Sequence, residues 1–189
     1  MALDKTVLNQ LRKFATAFRE ARDREANESN TVMYLVKFFE EVLEYDSLKG
    51  DISKELAIKD RYCDVALKID GTVRILLEGK AAGIKGLVDK HIEQAENYAS
   101  KAGIRWVVLT NGIEWKLYHL SWGENEGITH DLAWQVQLLD ELEADAENLW
   151  EKLRLLSRSS VSKGLLDEYW ERKKALCPGA VVRVLFSQG

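Results

Sequence analysis

Two strand-like segments on either side of an Asp70-Gly71 turn constrain the fold of this 189-residue chain most strongly. In the first segment, polar and apolar residues alternate, which is typical of a half-buried strand. The alternation places Tyr62, Asp64, Ala66 and Lys68 on one face and Cys63, Val65, Leu67 and Ile69 on the other. The second segment ends in Glu78-Gly79-Lys80, whose two charged side chains point to one side of a strand. One face carries Asp, Glu and Lys, and the opposite face is strongly apolar. Solubility alone does not require this grouping of charged side chains, so the pattern favours a functional site.

The turn between the segments decides whether Asp64 and Glu78 meet. A two-residue primed turn is the default for Asp-Gly, and it would place Asp64 on the face of Leu77. A three-residue loop, Ile69-Asp70-Gly71, with Gly71 in the left-handed conformation of a bulge, would place Asp64 and Glu78 on one face. We predict the bulged loop, because the two carboxylates form a site only in that register.

Asp64 followed by Glu78-x-Lys80 resembles the nuclease motif PD-(D/E)xK, with Cys63 in the position of the motif's proline. The surrounding segments follow in the family's order: Glu28-Ser-Asn-Thr, Gln94-x3-Tyr98, Leu109-Thr110-Asn111-Gly112 and Trp115-Lys116-Leu117-Tyr118. With them, the chain resembles the N-terminal nuclease domain of type I restriction enzyme R subunits over roughly residues 27–120. The resemblance implies a metal-dependent DNA endonuclease that acts in restriction or genome defence.

The same resemblance implies a role for each site residue. Asp64 and Glu78 are the expected ligands of Mg²⁺ or Mn²⁺, and the Gly79 carbonyl completes the shell. Lys80 would orient the attacking water or help to deprotonate it, and it would stabilise transition-state charge. The neighbouring negative charge would tend to keep Lys80 protonated, which argues against a simple base. The remaining candidates are Glu28 as an additional acidic catalytic residue, Gln94 as a catalytic and DNA-positioning residue, and Tyr98, one helical turn from Gln94, as a DNA-positioning residue.

The order of predicted elements indicates the α/β class: a restriction endonuclease-like mixed sheet of about five strands, flanked by helices and followed by a helical extension. We expect an N-terminal helix in residues 1–26 and the nuclease-like core in residues 27–120. Residues 121–189 are expected to form an acidic loop and a helical extension that packs on the core or makes a homodimer contact. The pattern also predicts a cap at Ser29 or Asn30, a capping box at Asp140-x-x-Glu143 and a short strand over residues 181–186.

Composition and missing motifs limit the expected partners. The sequence contains no Gly-x4-Gly-Lys-[Ser/Thr] phosphate loop, so we expect no ATP site here and no DNA translocation by this chain alone. DNA, a helicase or translocase, and other restriction subunits are the expected partners. Residues 121–150 hold eight acidic side chains and no Lys or Arg, so the rest of this chain of net charge −4 is net positive.

The apolar runs are strand-length and the N-terminus lacks a signal-peptide block, so we expect no membrane span. The two cysteines, Cys63 and Cys177, form no metal-ligand cluster and suggest a reducing compartment. We therefore expect a cytoplasmic location.

Two other interpretations stay open. The chain is a non-cleaving nuclease-fold module that binds nucleic acid or a protein partner, or it is a structural or regulatory subunit whose carboxylates are solvated. Metal binding separates the nuclease from the structural subunit, and DNA cleavage separates the nuclease from the non-cleaving module.

Overall fold

The computed structural model describes residues 3–58, 61–123 and 127–176. Within them, a six-stranded mixed sheet has its strands in the order of the sequence. The strands are β1 (Ile52–Ile58), β2 (Arg61–Ile69), β3 (Thr72–Gly79), β4 (Trp106–Thr110), β5 (Glu114–Ser121) and β6 (Thr129–Gln137). Strands β3 and β4 are parallel, and the other neighbouring pairs are antiparallel.

The helices surround the sheet and extend beyond it. They are α1 (Lys5–Asp23), α2 (Glu28–Glu41), α3 (Glu93–Ala102), α4 (Leu138–Ala144), α5 (Ala146–Leu153), α6 (Arg158–Ser162) and α7 (Leu165–Ala175), with short 3-10 turns at Ser47–Lys49, Asp89–Ile92 and Arg154–Leu156. The predicted α/β class, with flanking helices and a helical C-terminal region, is confirmed. None of the helices among the described residues is long and apolar enough to cross a membrane.

Each face of the sheet is covered by a different set of helices. The larger core joins one face to α1, α2 and the helices after β6, and its buried side chains include Phe18, Phe38, Trp115, Leu153 and Trp170. The smaller core joins the opposite face to α3. Because β3 and β4 are parallel, the chain crosses between them through α3, and the ends of both strands meet at one edge of the sheet.

The turn between β2 and β3 differs from the prediction. Asp70 and Gly71 form a two-residue turn with positive φ values of 49° and 80°, and Ile69 pairs with Thr72, so the three-residue loop is wrong. The irregularity lies further into the hairpin, where the pairing shifts between Leu67 and Lys68. Beyond it Val65 pairs with Leu77, so the residues next along the two strands are Asp64 and Glu78. The irregularity therefore lies within the paired strands and not in the loop, and Asp64 and Glu78 are still neighbours.

The predicted alternation along β2 breaks at Asp64. Val65, Leu67 and Ile69 belong to the larger core, as expected. Cys63, however, packs with Ala66 in the smaller core on the α3 face. Asp64 lines a cleft with α2 residues, on the same side as Val65. Two successive side chains on one side are typical of a bulged strand, and bulges of this kind re-aim a side chain.

Several local predictions are also corrected. Asn27 caps α2 by accepting a hydrogen bond from the Asn30 amide, in place of Ser29 or Asn30. Asp140 and Glu143 lie inside α4, which has no side-chain cap, so the capping box is wrong. Strand β6 was not predicted, because its outward positions are mostly polar and its pattern is weak. The predicted strand over residues 181–186 lies outside the described residues.

Candidate functional site

Lys80 lies at the centre of the candidate site, one residue beyond the end of β3. Its amide donates to the Thr110 carbonyl at the end of β4, with a distance of 2.8 Å, which fixes the backbone at the sheet edge. Its Nζ donates to Glu78 Oε1 at 2.6 Å and lies 3.5 Å from Glu28 Oε2. The structure therefore brings together Lys80, Glu78 and the first residue of α2.

Asp64 joins this cluster through the backbone of Gly79. Asp64 Oδ2 accepts a hydrogen bond of 2.7 Å from the Gly79 amide. A Cβ at Gly79 would lie 2.7 Å from Val32 Cγ2, so α2 packs directly on this glycine. The close approach places the N-terminal turn of α2, including Glu28, beside Asp64 in a cleft of about 140 Å³.

The electrostatics of Glu78 reflect its crowded and buried position. Burial raises the pKa of Glu78, the Asp64 carboxylate raises it further, and the result is a pKa of about 7 despite the hydrogen bond from Lys80. The Glu78 side chain is 7% exposed, so little water is available to screen this repulsion. Two carboxylates that repel each other in a shielded place form a site where a cation would be stabilised.

Lys80 is held in its charged form. Burial lowers the pKa of Lys80, but the hydrogen bond from Lys80 to Glu78 and the charges of Glu78, Glu28 and Asp64 outweigh burial and raise it. The ammonium group is therefore a hydrogen-bond donor and a fixed positive charge. This agrees with the sequence-based expectation that the neighbouring acids keep Lys80 protonated.

The segment after Lys80 is fastened at three successive points. The Ala82 amide donates to Thr31 Oγ1 on α2 at 3.1 Å. Asn111 Nδ2 donates to the Ile84 carbonyl at 2.8 Å. The Leu87 amide donates to the buried carboxylate of Glu114 at 3.0 Å. One of the three partners, Asn111, belongs to the Thr110-Asn111-Gly112 turn, so this turn helps to fix the segment that follows Lys80.

The α3 candidates are placed less directly. Gln94 lies in the first turn of α3, and its side chain lies outside the described part of the chain. Tyr98 is 3% exposed and packs in the smaller core with Cys63, and its hydroxyl is buried without a hydrogen-bond partner. The structure therefore places Tyr98 in the smaller core beneath α3. The positioning roles of Gln94 and Tyr98 stay predictions.

Among the described residues, no group of three or more His, Cys, Asp or Glu side chains is arranged to hold a metal ion. The donors nevertheless fit a hard divalent cation in their chemistry, because Asp64, Glu78 and Glu28 offer carboxylate oxygens alone. Lys80 is hydrogen-bonded to the Glu78 carboxylate in this arrangement. Metal binding would require Glu78 to lose its proton and to exchange part of its contact with Lys80.

Sequence reasoning missed a basic residue in the cleft. Lys54 on β1 lines the cleft with Asp64 and Glu28, and it pairs across the strands with Val65. Its side chain is exposed. No short motif marks Lys54, and only the register between β1 and β2 brings it next to Asp64. It adds a positive charge to a cleft that is otherwise lined by acidic and uncharged residues.

Residues 29–131, more than half of the chain, match the protein family described as type I restriction enzyme R protein N terminus (HSDR_N). The matched region runs from the first turn of α2 into β6 and contains Asp64, Glu78, Lys80, Gln94 and Tyr98. No curated protein and no solved structure matches the chain.

Proposed function

Since the chain belongs to the family of type I restriction enzyme R protein N-terminal domains, we propose that it is a metal-dependent DNA endonuclease module of a restriction system. The observation that carries the proposal is the placement of Lys80, whose Nζ lies 2.6 Å from Glu78 and 3.5 Å from Glu28, with Asp64 bound to the intervening Gly79 amide. Asp64, Glu78 and Lys80 lie within the matched region, and Glu28 lies one residue before it.

Asp64 and Glu78 would hold Mg²⁺ or Mn²⁺, with the Gly79 carbonyl as a further oxygen donor and Glu28 as the additional acid. When bound, the ion would neutralise charge on the phosphate and make an attacking water more nucleophilic. The raised pKa of Glu78 supports this assignment, because a bound cation, added to the charge of Lys80, would reduce the repulsion between Glu78 and Asp64.

Hydrolysis forms a bond between a water oxygen and phosphorus and breaks the bond from phosphorus to one ester oxygen. Lys80, which is kept protonated, donates a hydrogen bond to the phosphate and stabilises the negative charge that grows on it. Lys54 adds a positive charge at the cleft that would attract the adjoining DNA backbone. The network through Thr31, Asn111 and Glu114 holds the segment after Lys80 in place.

DNA and other subunits of a restriction system are the partners that this family implies, and a translocase supplied by another polypeptide segment would deliver DNA to the cleft. This chain would then cut the DNA, and the translocase would move it. Dimer formation through the C-terminal helices stays a hypothesis.

Nicking of supercoiled plasmid in Mg²⁺ or Mn²⁺ tests the proposal. We expect cleavage by the wild-type chain and a loss of about 100-fold or more in Asp64→Asn and Lys80→Met, since each removes charge that acts in the transition state. Lys101→Gln, at an exposed position of α3, is the matched lysine control and should cut at the wild-type rate.

Three outcomes are informative. Loss in both site variants, with folded proteins and an active control, supports the assignment. DNA binding without cleavage by the wild type would favour the non-cleaving module. Cleavage that survives in both variants would show that the chemistry occurs elsewhere.

A further inference from the structure

A second cleft of about 140 Å³ lies where α1, the end of α2 and the helices α5 to α7 meet. Its lining includes Trp150, Arg154, Ser157, Ser160, Lys163 and Glu44. It shares no residue with the cleft around Asp64, so an inference about it stands independently of the proposed nuclease function.

Two residues that line this cleft each have a buried hydrogen-bond donor without a partner among the described residues. Trp150 is 3% exposed, and its indole Nε1 has no acceptor. Arg154 pairs with Glu151 through Nη2, but its Nε is buried and has no acceptor. A buried donor without an acceptor costs about 1–3 kcal/mol, so a ligand in the cleft whose acceptor atoms reached these groups would remove that cost.

The serine side chains add a third donor. Ser157 Oγ accepts a hydrogen bond from the Ser160 amide at 3.2 Å and donates to Ser160 Oγ at 3.0 Å. Ser157 and Ser160 are 7% and 5% exposed. Since Ser160 Oγ is the acceptor in the contact with Ser157, its own proton is directed to a different acceptor.

Lys163 supplies the cation that an oxyanion in this cleft would contact. Arg154 is already paired with Glu151, so its charge is balanced, and the other charged residues that line the cleft are Lys163 and Glu44, one of each sign. Lys163 is exposed and makes no ion pair with a described residue. The cavity is smaller than the roughly 300–1,000 Å³ pockets of drug-sized ligands, so it suits a small group rich in acceptor oxygens.

We propose that this cleft binds a small oxyanion of the phosphate class, held by the Trp150 and Arg154 N–H groups and the Ser160 hydroxyl and neutralised by Lys163. The anion is either free phosphate or the phosphoryl group of a small phosphate ester. It would bridge α5 and the segment before α7, so its binding would stabilise the packing of the C-terminal helices on α1 and α2.

Isothermal titration calorimetry of the whole chain with inorganic phosphate and, separately, with glycerol phosphate tests the proposal. Both titrations use a sulfate-free chloride buffer at fixed ionic strength. We expect saturable binding that weakens about tenfold in Lys163→Gln and in Trp150→Phe, which loses the N–H and keeps an aromatic ring. Lys101→Gln is the matched control and should bind like the wild type. Phosphate should raise the thermal unfolding temperature most in the proteins that bind it most tightly.

Lys163→Gln keeps the test decisive if Trp150→Phe fails to fold, because Lys163 is exposed. Tighter binding of the ester assigns the cleft to a phosphorylated ligand, and binding of the free ion alone assigns it to phosphate. Absence of saturable binding, or equal binding by the wild type and Lys163→Gln, would overturn the proposal and leave water as the acceptor for the buried donors.

Discussion

At the scale of single residues, the electrostatics of the candidate site are set by Glu78. Its carboxyl is buried, faces the charge of Asp64 and is hydrogen-bonded to Lys80. Its pKa is raised to about 7 in the folded chain from an ordinary value of 4.5. The folded chain therefore binds a proton at Glu78 more tightly than the unfolded chain does.

This difference predicts a pH-dependent stability of the metal-free protein. Below about pH 4.5, Glu78 is protonated in both states and its contribution is fully present. As the pH rises through about 7, the contribution is lost, and it amounts to at most about 3 kcal/mol at about 1.4 kcal/mol per pKa unit. We expect the free energy of unfolding of the wild type to fall relative to Glu78→Gln between about pH 5 and pH 8, as measured by urea unfolding.

Glu93→Gln, at an exposed position of α3, is the control and should leave the pH dependence of the wild type unchanged. A constant difference in unfolding free energy between the wild type and Glu78→Gln over this pH range would contradict the assigned pKa shift.

Residue spacing predicted that Asp64, Glu78 and Lys80 lie together, and it predicted less of what surrounds them. Glu78 and Lys80 are two apart on a strand, and the motif with Asp64 does not depend on details of packing. Lys54 and Thr31 were not predicted, because each reaches the site through the pairing of β1 with β2 or the seating of α2 on β3. Such contacts between distant segments carry no local sequence signal.

At the scale of elements, the contact of α2 with the end of β3 determines where Glu28 lies. Gly79 permits this contact, since an added Cβ would lie 2.7 Å from Val32 Cγ2 and 3.3 Å from Leu35 Cδ1. Val32 is branched at Cβ and adjusts poorly. The glycine in the motif therefore has a packing role as well as a place between two charged residues.

Gly79→Ala should consequently destabilise the fold by about 1–3 kcal/mol and move the start of α2 away from Lys80. Urea unfolding measures the first effect, and reduced plasmid nicking measures the second. Gly83→Ala is the matched control, since a Cβ there meets nothing within 4 Å. Equal stability of the two alanine variants would show that α2 does not press on Gly79.

The segment that follows Lys80 depends on Thr31. Thr31→Val keeps the shape of the side chain but leaves the buried Ala82 amide without its acceptor, which should cost about 1–3 kcal/mol. Thr31→Ser retains the hydroxyl and should retain most of the stability. Faster amide hydrogen exchange at Ala82 in the valine variant alone would be the direct signature. Equal protection in both variants would refute the role of this hydrogen bond.

The β2–β3 hairpin shows why element boundaries were predicted better than register. The alternating pattern predicted both strands and a turn at Asp70-Gly71, although this turn has two residues and not the three, Ile69-Asp70-Gly71, that we predicted. It did not predict the pairing shift between Leu67 and Lys68 or the side-chain reversal at Asp64, because both arise from packing on opposite faces of the sheet. A strand with apolar residues on both faces gives a weak signal of register.

At the scale of the whole molecule, the terminal helices share the larger core with the sheet. Phe18 of α1 is fully buried. Its ring packs directly on Gly112, since a Cβ added to Gly112 would lie 2.2 Å from Phe18 Cδ1. Leu149, Leu153 and Trp170, from the C-terminal helices, belong to the same cluster. The predicted boundaries after residues 26 and 120 stay untested, but the packing across them is continuous.

This continuity predicts that α1 unfolds together with the sheet. Phe18→Ala should lower the free energy of unfolding by about 3–5 kcal/mol in a single transition, because it empties a closed part of the core. Arg12→Ala, at an exposed position of the same helix, is the control. Two separate transitions, detected by tryptophan fluorescence and by circular dichroism, would instead indicate an independent N-terminal helix.

Binding of Mn²⁺ to the isolated chain tests the central claim most directly, because it requires no partner that delivers DNA. Titration followed by the electron paramagnetic resonance of free Mn²⁺ should show one saturable site in the wild type. Asp64→Asn and Glu78→Gln should weaken it by at least about tenfold, since even outer-shell changes cost about 10–100-fold in metal affinity. No binding by the wild type, or equal binding by all three proteins, would contradict a metal-dependent nuclease centre at Asp64, Glu78 and Lys80.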